Sequence, residues 1–338
     1  MNSFKKIFLT IVTLSIIASL SIAFTGCPTP VTEKPTATEE PTVTEEAEET
    51  PTEEAVTTEE PTEEVAEFGT AENPLVMAFA PSGEADRILA SGEKVEKMIE
   101  ERTGYKIESF VATSYAALIE SMGAGNTHIG WLATVQYVVA HDKYNVEGLL
   151  SSIRYGSPTY KGQIIVHVDS DIEDIADLEG KTFAYSDPLS TSGFIYPMTL
   201  LVKEGYDYKT FFSEINSMDG SHDATVLVVY NKEIDCGATF DDARDIVEDK
   251  FPDVKEKVKV IAYTDEIPYD TISIIEDIPD EMKEKIKNAL LEIVETEEGL
   301  LAVNELYRHT GYIPTDDSVY DPVREALDLV PELFEKEE

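Results

Sequence analysis

Asp187-Pro188-Leu189-Ser190-Thr191-Ser192-Gly193-Phe194 follows the apolar run Thr182 to Tyr185 and leads into an apolar helical segment through Leu201 and Val202. A strand, a short hydroxyl-rich turn and a helix in direct succession form the repeating unit of an α/β fold. Two serines and a threonine at a helix start place hydroxyl donors beside backbone N–H groups that no helical carbonyl can serve. A tetrahedral oxyanion requires that combination. The same residues also serve as an ordinary N-cap. One hydroxyl suffices for a cap, so three in a row followed by Gly193 give the anion reading its weight, and both readings stand at this point. Pro197, inside the helical segment, predicts an irregular or kinked first turn.

The same unit repeats outward from this stretch. Leu75 to Ala80 is a continuous apolar run, the pattern of a buried parallel strand. Val95, Met98 and Ile99, spaced i, i+3, i+4, mark a helix ending at Gly104. A strand from Lys106 to Val111 is followed by a helix through Tyr115, Leu118, Ile119 and Met122 that closes at Gly123. His128 to Leu132 reads as a strand and Val135 to His141 as a helix. Near the C-terminus Met282, Ile286, Ala289, Leu290 and Ile293 form an amphipathic face. The alternation predicts α/β architecture with mostly parallel sheets flanked by helices. Gln163 to Val168 and Thr271 to Ile275 read as strands crossing between two lobes and acting as a hinge. On that reading lobe 1 is 68–160 plus 275–338, lobe 2 is 161–274, and a ligand belongs in the cleft between them.

Before this body lie two segments of different character. Lys5 and Lys6 precede an apolar run from Ile7 to Phe24, and Thr25-Gly26-Cys27 follow. A basic start, an apolar stretch and small residues describe an export signal. An uncleaved spanning helix is the alternative that the length of the run leaves open. Either way the body is expected outside the cytoplasm. Residues 28–67 contain 14 Glu and one Lys, no aromatic residue, and near-repeats such as Thr38-Glu39-Glu40-Pro41-Thr42. A chain of that composition cannot bury enough apolar surface to offset its conformational entropy, so a disordered tether is expected. At ~3.1 Å per residue it reaches at most roughly 120 Å.

Charge and cysteine usage exclude several classes. The chain carries −42; the first 27 residues contribute +2 and residues 28–67 contribute −13, which leaves −31 on the body. Such a surface repels nucleic acid and anionic membranes. It also repels an anionic solute at long range, so an anion site here must work through short, directed donors. Cys236 is the only cysteine besides Cys27, and in its apolar run it reads as a small buried hydrophobe. No Cys pair and no His-Glu-x-x-His spacing is present, so neither a metal site nor a cofactor is expected.

A second polar cluster stands at Gly220-Ser221-His222-Asp223-Ala224, where a turn enters another apolar segment. His222 can donate to a phosphoryl oxygen, more strongly if protonated; a partly exposed cap-region histidine is the plainer reading. Asp241, Asp242 and Asp270 lie beyond strand ends. A carboxylate fits an anion site only if it accepts a proton from the ligand or pairs with an amine on it. Ser190 or Ser192 with His222 and Asp242 superficially supplies a hydrolase triad, but G-x-S-x-G is absent, and Gly123-Ala124-Gly125 lacks the rest of a dinucleotide fingerprint. Catalysis is therefore not expected. Trp131, at a strand end, reads as core, with the cleft as the alternative.

These motifs together resemble one family. Asp187 to Gly193 is similar to the D-P-x-S-T-S-G signature of the phosphate, phosphite and phosphonate-binding subunits of ABC importers. The match continues through Asp177 to Phe183, Gly220 to Ala224, Ile234 to Ala238, Tyr115 to Met122 and Ile267 to Asp270. It spans nearly the whole body and excludes the signal and tether. The resemblance implies a two-lobed periplasmic binding protein type II fold and a monomer that docks on a membrane permease with its ATPase. It further implies that Ser190, Thr191 and Ser192 grip the phosphorus-bound oxygens with help from His222 and Tyr115, and that Tyr160 and Asp270 line the cleft. Asp242 falls where aminoalkylphosphonate binders carry a Glu that holds the amine, and the shorter side chain leaves phosphite, phosphate and short phosphonates open. The segment ending at Cys27 resembles a lipoprotein signal with Cys27 as the lipid-bearing residue, departing from the pattern at Phe24. A sensor subunit for the same solute, signalling to a receptor, is the alternative role.

Overall fold

A computed structural model describes residues 67–333 of the chain. Cys27, the export signal and all of the tether but Glu67 lie outside the described residues.

The first strands follow the apolar runs closely. β1 (Leu75–Phe79), β2 (Ile107–Val111) and β3 (Ile129–Leu132) form the parallel half of a six-stranded sheet, with β1 in the middle of the three. Helix α1 (Ala85–Thr103) buries Ile88, Val95 and Ile99 on one face and stops where Gly104 takes the left-handed conformation, φ 76°. Helix α2 (Tyr115–Gly123) is capped by Ser114, whose hydroxyl accepts from the Ala117 N–H at 3.1 Å. Helix α3 (Thr134–Tyr144) opens directly after β3. β4 (Glu147–Ile153) then continues the sheet.

From β4 the chain passes to a second sheet. β5 (Thr159–His167), β6 (Thr182–Tyr185), β7 (Glu214–Ser217), β8 (Cys236–Phe240) and β9 (Val258–Pro268) are ordered β7-β6-β8-β5-β9. β10 (Thr271–Ile274) and β11 (Gly311–Pro314) return to the first sheet, whose order is β11-β4-β10-β3-β1-β2. The helices Asp280–Ile293 and Glu297–Tyr307 pack on α1.

The α/β architecture with mostly parallel strands is as expected: β1 to β4 share one direction in the first sheet and β6 to β9 share one in the second, and the exceptions are β5, β10 and β11. β6 runs parallel to β7 and β8, but β5 pairs antiparallel with both β8 and β9. β10 likewise pairs antiparallel with β3 and β4. The cause is topological: a chain that leaves one sheet and later returns must place its outgoing and incoming strands in opposite directions. The strands read as crossings sit differently. β5 lies wholly in the second sheet and β10 wholly in the first, so Thr271–Ile274 belongs with the first sheet. The passages are the connections at 154–158 and 269–270. They run side by side, with the Tyr269 N–H donating to the Pro158 carbonyl at 3.2 Å and the Ser152 N–H to the Asp270 carbonyl at 3.0 Å.

Candidate functional site

The wall contributed by the second sheet begins where β6 ends. Asp187 organises the turn: the Leu189 N–H donates to its Oδ1 at 2.8 Å and the Ser190 N–H to its carbonyl at 2.9 Å. Ser190 then caps the helix, its Oγ accepting from the Gly193 N–H at 3.1 Å. The first turn, Thr191–Ile195, is π-helical, with the Ile195 N–H reaching the Ser190 carbonyl at 3.1 Å, and α4 (Tyr196–Lys203) follows. Pro197 sits in the opening turn of α4, the irregular start its position predicts. The widened turn carries three consecutive hydroxyls, all buried. Gly193 is required by proximity: a Cβ there would stand 2.4 Å from Ser186 Oγ and 2.8 Å from Ser190 Oγ.

His222 reaches the same place from the helix His222–Tyr230, which Ser221 caps through the Ala224 N–H at 3.1 Å. Its Nε2 lies 3.3 Å from Ser186 Oγ and 3.4 Å from Ser190 Oγ, and its ring stands edge-on to Phe240 at 4.8 Å. Burial, with the Arg154 charge adding to it, pushes the imidazole down to about 3, so His222 is neutral at physiological pH. That revises the picture of a protonated donor. Among the described residues its Nδ1, which is buried, has no hydrogen-bond partner, and no carboxylate stands on it as a triad would need.

The first sheet supplies the facing wall. Tyr115 opens α2, and Gln136 ties α2 to α3 by donating to the Tyr115 carbonyl at 3.0 Å. Trp131 is buried at the end of β3 and also lines the cavity, so both readings of it hold. Tyr307 closes the rim, donating to the Ala80 carbonyl at 2.7 Å. The two walls touch. Thr191 Oγ1 accepts from the Val135 N–H at 2.9 Å, and Asp187 Oδ2 lies 3.5 Å from the Tyr115 N–H. The His222 N–H faces the Ser82 carbonyl at 3.4 Å. Gly220, at φ 93°, passes so close that a Cβ would stand 2.4 Å from the Pro81 carbonyl oxygen. The cleft is shut.

Between the walls is a cavity of about 40 Å³. Ser190, Thr191, Ser192, His222, Tyr115, Tyr160 and Asp270 all line it. Tyr160 stacks on Tyr269 with ring centres 4.8 Å apart. Burial raises the Asp270 carboxyl above the usual range, with Arg154 pulling it the other way. Asp242 does not line this cavity: it is exposed, in the left-handed region at φ 66°, and lines with Asp241 and Glu266 an adjoining opening that shares Arg154 and Tyr160 with the cavity. Asp241 there is pushed up to about 6 by burial and by Asp242. The two-residue step beyond Phe240 turns Asp242 outward.

Sequence reasoning missed Arg154, Phe240 and Tyr307, which share the cavity lining. For Arg154 the available signal was an arginine ending the run Leu149 to Ile153, just before the Tyr155-Gly156-Ser157-Pro158 turn between sheets. Among the described residues no group of three or more His, Cys, Asp or Glu is placed to hold a metal ion. No described helix is long and apolar enough to cross a membrane.

Residues 77–320, more than half of the chain, match the model of a family described as the periplasmic substrate-binding protein of phosphonate ABC transporters. The chain belongs to this family. Its members are extracytoplasmic components of transporters, and this membership agrees with the motif resemblance drawn from Asp187 to Gly193. The phosphate-import protein PhnD of Mycolicibacterium smegmatis is 28% identical over 273 residues, covering 75% of this chain and 85% of the relative. The phosphonates-binding periplasmic protein of Escherichia coli is 28% identical over 236 residues, covering 67% and 68%. The crystal structure of a binding-protein component of an ABC phosphonate transporter from Pseudomonas aeruginosa superposes with a TM-score of 0.70 at 23% identity, over 77% of this chain and 87% of that one. That likeness establishes the family's type II binding-protein fold for the described residues.

Proposed function

We propose that the chain captures a small phosphorus oxyanion (phosphate, phosphite or methylphosphonate) in the cavity between its lobes, and delivers it to an ABC permease and its ATPase. The observation that carries this reading is the shut, hydroxyl-lined cavity, whose two walls close on one another through Thr191 and Val135. A desolvated oxyanion is tolerated only when nearly all its oxygens receive hydrogen bonds. Ser190 to Ser192 and His222 come from one lobe and Tyr115 from the other, so a ligand meets all its donors only in the closed state. It therefore favours closure, the general behaviour of periplasmic binding proteins.

Size and charge narrow the ligand. On the scale where one water needs roughly 10–15 Å³, a cavity of about 40 Å³ suits a single tetrahedral oxyanion. An aminoalkyl tail would need a carboxylate partner; among the described residues the one carboxylate lining the cavity, Asp270, faces Arg154, and Asp242 stands in the adjoining opening. The site binds rather than turns over: His222 meets Ser190, but its Nδ1 lacks the carboxylate that activates a serine nucleophile. Cys27 carries the lipid, 28–67 is the tether, lobe 2 is the insert between the connections at 154–158 and 269–270, and the protein acts as a monomer.

Calorimetric titration of the protein, stripped of bound solute by unfolding and refolding, tests this with phosphate, phosphite, methylphosphonate, aminoethylphosphonate and sulfate. One-to-one binding of a small phosphorus oxyanion, lost in Ser190→Ala, is the expected result. Silence toward phosphate, phosphite and methylphosphonate refutes this reading.

A further inference from the structure

The hydroxyl and imidazole donors of the cavity are neutral. The serine and threonine hydroxyls carry no charge, and burial keeps His222 an imidazole at physiological pH. Arg154 is the only Lys or Arg lining the cavity, and it is 8% exposed. A guanidinium offers five N–H donors, yet among the described residues none of them makes a hydrogen bond, and Nε is buried without any partner. Among the described residues the Asp270 carboxylate is its only ion-pair partner, with Oδ2 at 3.6 Å from Nη2, beyond hydrogen-bond length. A buried cation so poorly served is costly to keep.

Its position is nevertheless tightly held. The ring centres of Phe240 and Tyr269 lie 4.9 and 5.4 Å from the guanidinium carbon, which restrains the fork in a side chain that lines the cavity. The backbone is pinned by reciprocal bonds, the Arg154 N–H to the Ser157 carbonyl at 3.2 Å and the Ser157 N–H to the Arg154 carbonyl at 2.8 Å. A planar cation clamped by rings, with unsatisfied edge donors at a cavity wall, matches an oxyanion that presents two oxygens along one edge.

Building on the capture reading above, we propose that Arg154 is the cationic anchor of the bound anion, donating its guanidinium fork to two ligand oxygens while Ser190 to Ser192 hold the third. The ligand then displaces Asp270 as the principal partner of Arg154. The site consequently demands three unsubstituted oxygens on phosphorus. Monosubstituted phosphonates and inorganic phosphate or phosphite qualify, and phosphinates do not.

Titration of methylphosphonate and dimethylphosphinate into the wild type, Arg154→Gln and Arg154→Lys tests this. Arg154→Gln is expected to weaken methylphosphonate binding about 100-fold, the scale of a lost bidentate charge-assisted contact. Ligand-free Arg154→Gln should keep a native circular dichroism spectrum at the titration temperature, although its unfolding temperature falls because Asp270 loses its buried partner. Arg154→Lys should recover part of the loss, and the preference for methylphosphonate over dimethylphosphinate should collapse in Arg154→Gln. Equal binding, within about threefold, by wild type and Arg154→Gln overturns this inference alone. A wild type silent toward phosphate, phosphite and methylphosphonate overturns the capture reading and this one with it. If Arg154→Gln does not fold, a crystal structure of the wild type with methylphosphonate decides. A guanidinium nitrogen about 2.9 Å from a phosphonate oxygen supports the anchor, and a guanidinium with no ligand oxygen within reach overturns it.

Discussion

Replacing His222 with Gln should flatten the acid side of the protein's stability profile. The unfolded chain protonates this imidazole below its ordinary 6.5, whereas the folded protein resists protonation down to about 3, because the ring is buried and faces Arg154. Between those values the unfolded state holds more protons, so stability is full above pH 6.5 and falls as the pH drops toward 3. Each pH unit inside the window is worth ~1.4 kcal/mol. From about pH 7.5 to about pH 5, His222 alone therefore removes roughly 2 kcal/mol. The side chain packs against Phe240 and between two serines, so the loss applies to a well-enclosed ring rather than a solvated one. Urea denaturation of ligand-free wild type and His222→Gln at the two pH values measures the difference directly. His128, His167 and His309 are also held low and contribute to both proteins alike, so only the difference between the two profiles reports on His222. Parallel profiles, with both proteins losing the same stability between the two pH values, would refute the neutral, enclosed imidazole. The role of His222 as a neutral donor to the ligand would fall with it.

Thr191→Val leaves the Val135 N–H without its acceptor in the shut cleft, at a cost of about 1–3 kcal/mol. Ligand affinity should drop about tenfold or more, and small-angle scattering should show a more open average shape. Gly193→Ala places a methyl 2.4 Å from Ser186 Oγ. We expect binding to weaken about tenfold or more while circular dichroism stays native, because the displaced atoms belong to the cradle. Asp242→Asn should change phosphate affinity by less than about twofold, since the residue is exposed and its charge is screened; a larger effect in calorimetry would return Asp242 to the site.

Much of the fold is written locally. Leu75 to Phe79 has the pattern of a buried strand, and Gly104 and the capping Ser114 end and start helices by chemistry that needs no partner. The cradle was legible for the same reason: three hydroxyls ahead of a proline-bearing helix form a local pattern, and they converge with His222 because both segments follow strands of one sheet. Long-range facts were less visible. The antiparallel direction of β10 depends on the chain returning to a sheet it had left, and that of β5 on pairing with the distant β8 and β9, which no window of sequence contains. Arg154 carries no periodicity, and its meaning comes from Phe240 and Tyr269, 86 and 115 positions away along the chain. Asp242 misled because strand end and cleft coincide for Asp270 but diverge at β8, where the chain turns left-handed.

The placement of β10 between β3 and β4 sets a timetable for synthesis. β3 ends at Leu132 and its neighbour begins at Thr271, so the edge of β3 stays unpaired until 139 further positions have been made. At ~5–20 residues per second, the emerging chain spends roughly 7–28 s with that edge open. The second sheet is complete at Pro268 and can assemble first. The first half of the protein must therefore wait for the inserted half, and an exposed strand edge is a template for wrong pairing. For this chain the time of greatest risk is the interval before Thr271 appears, when a chaperone that covers the edge of β3 would matter most.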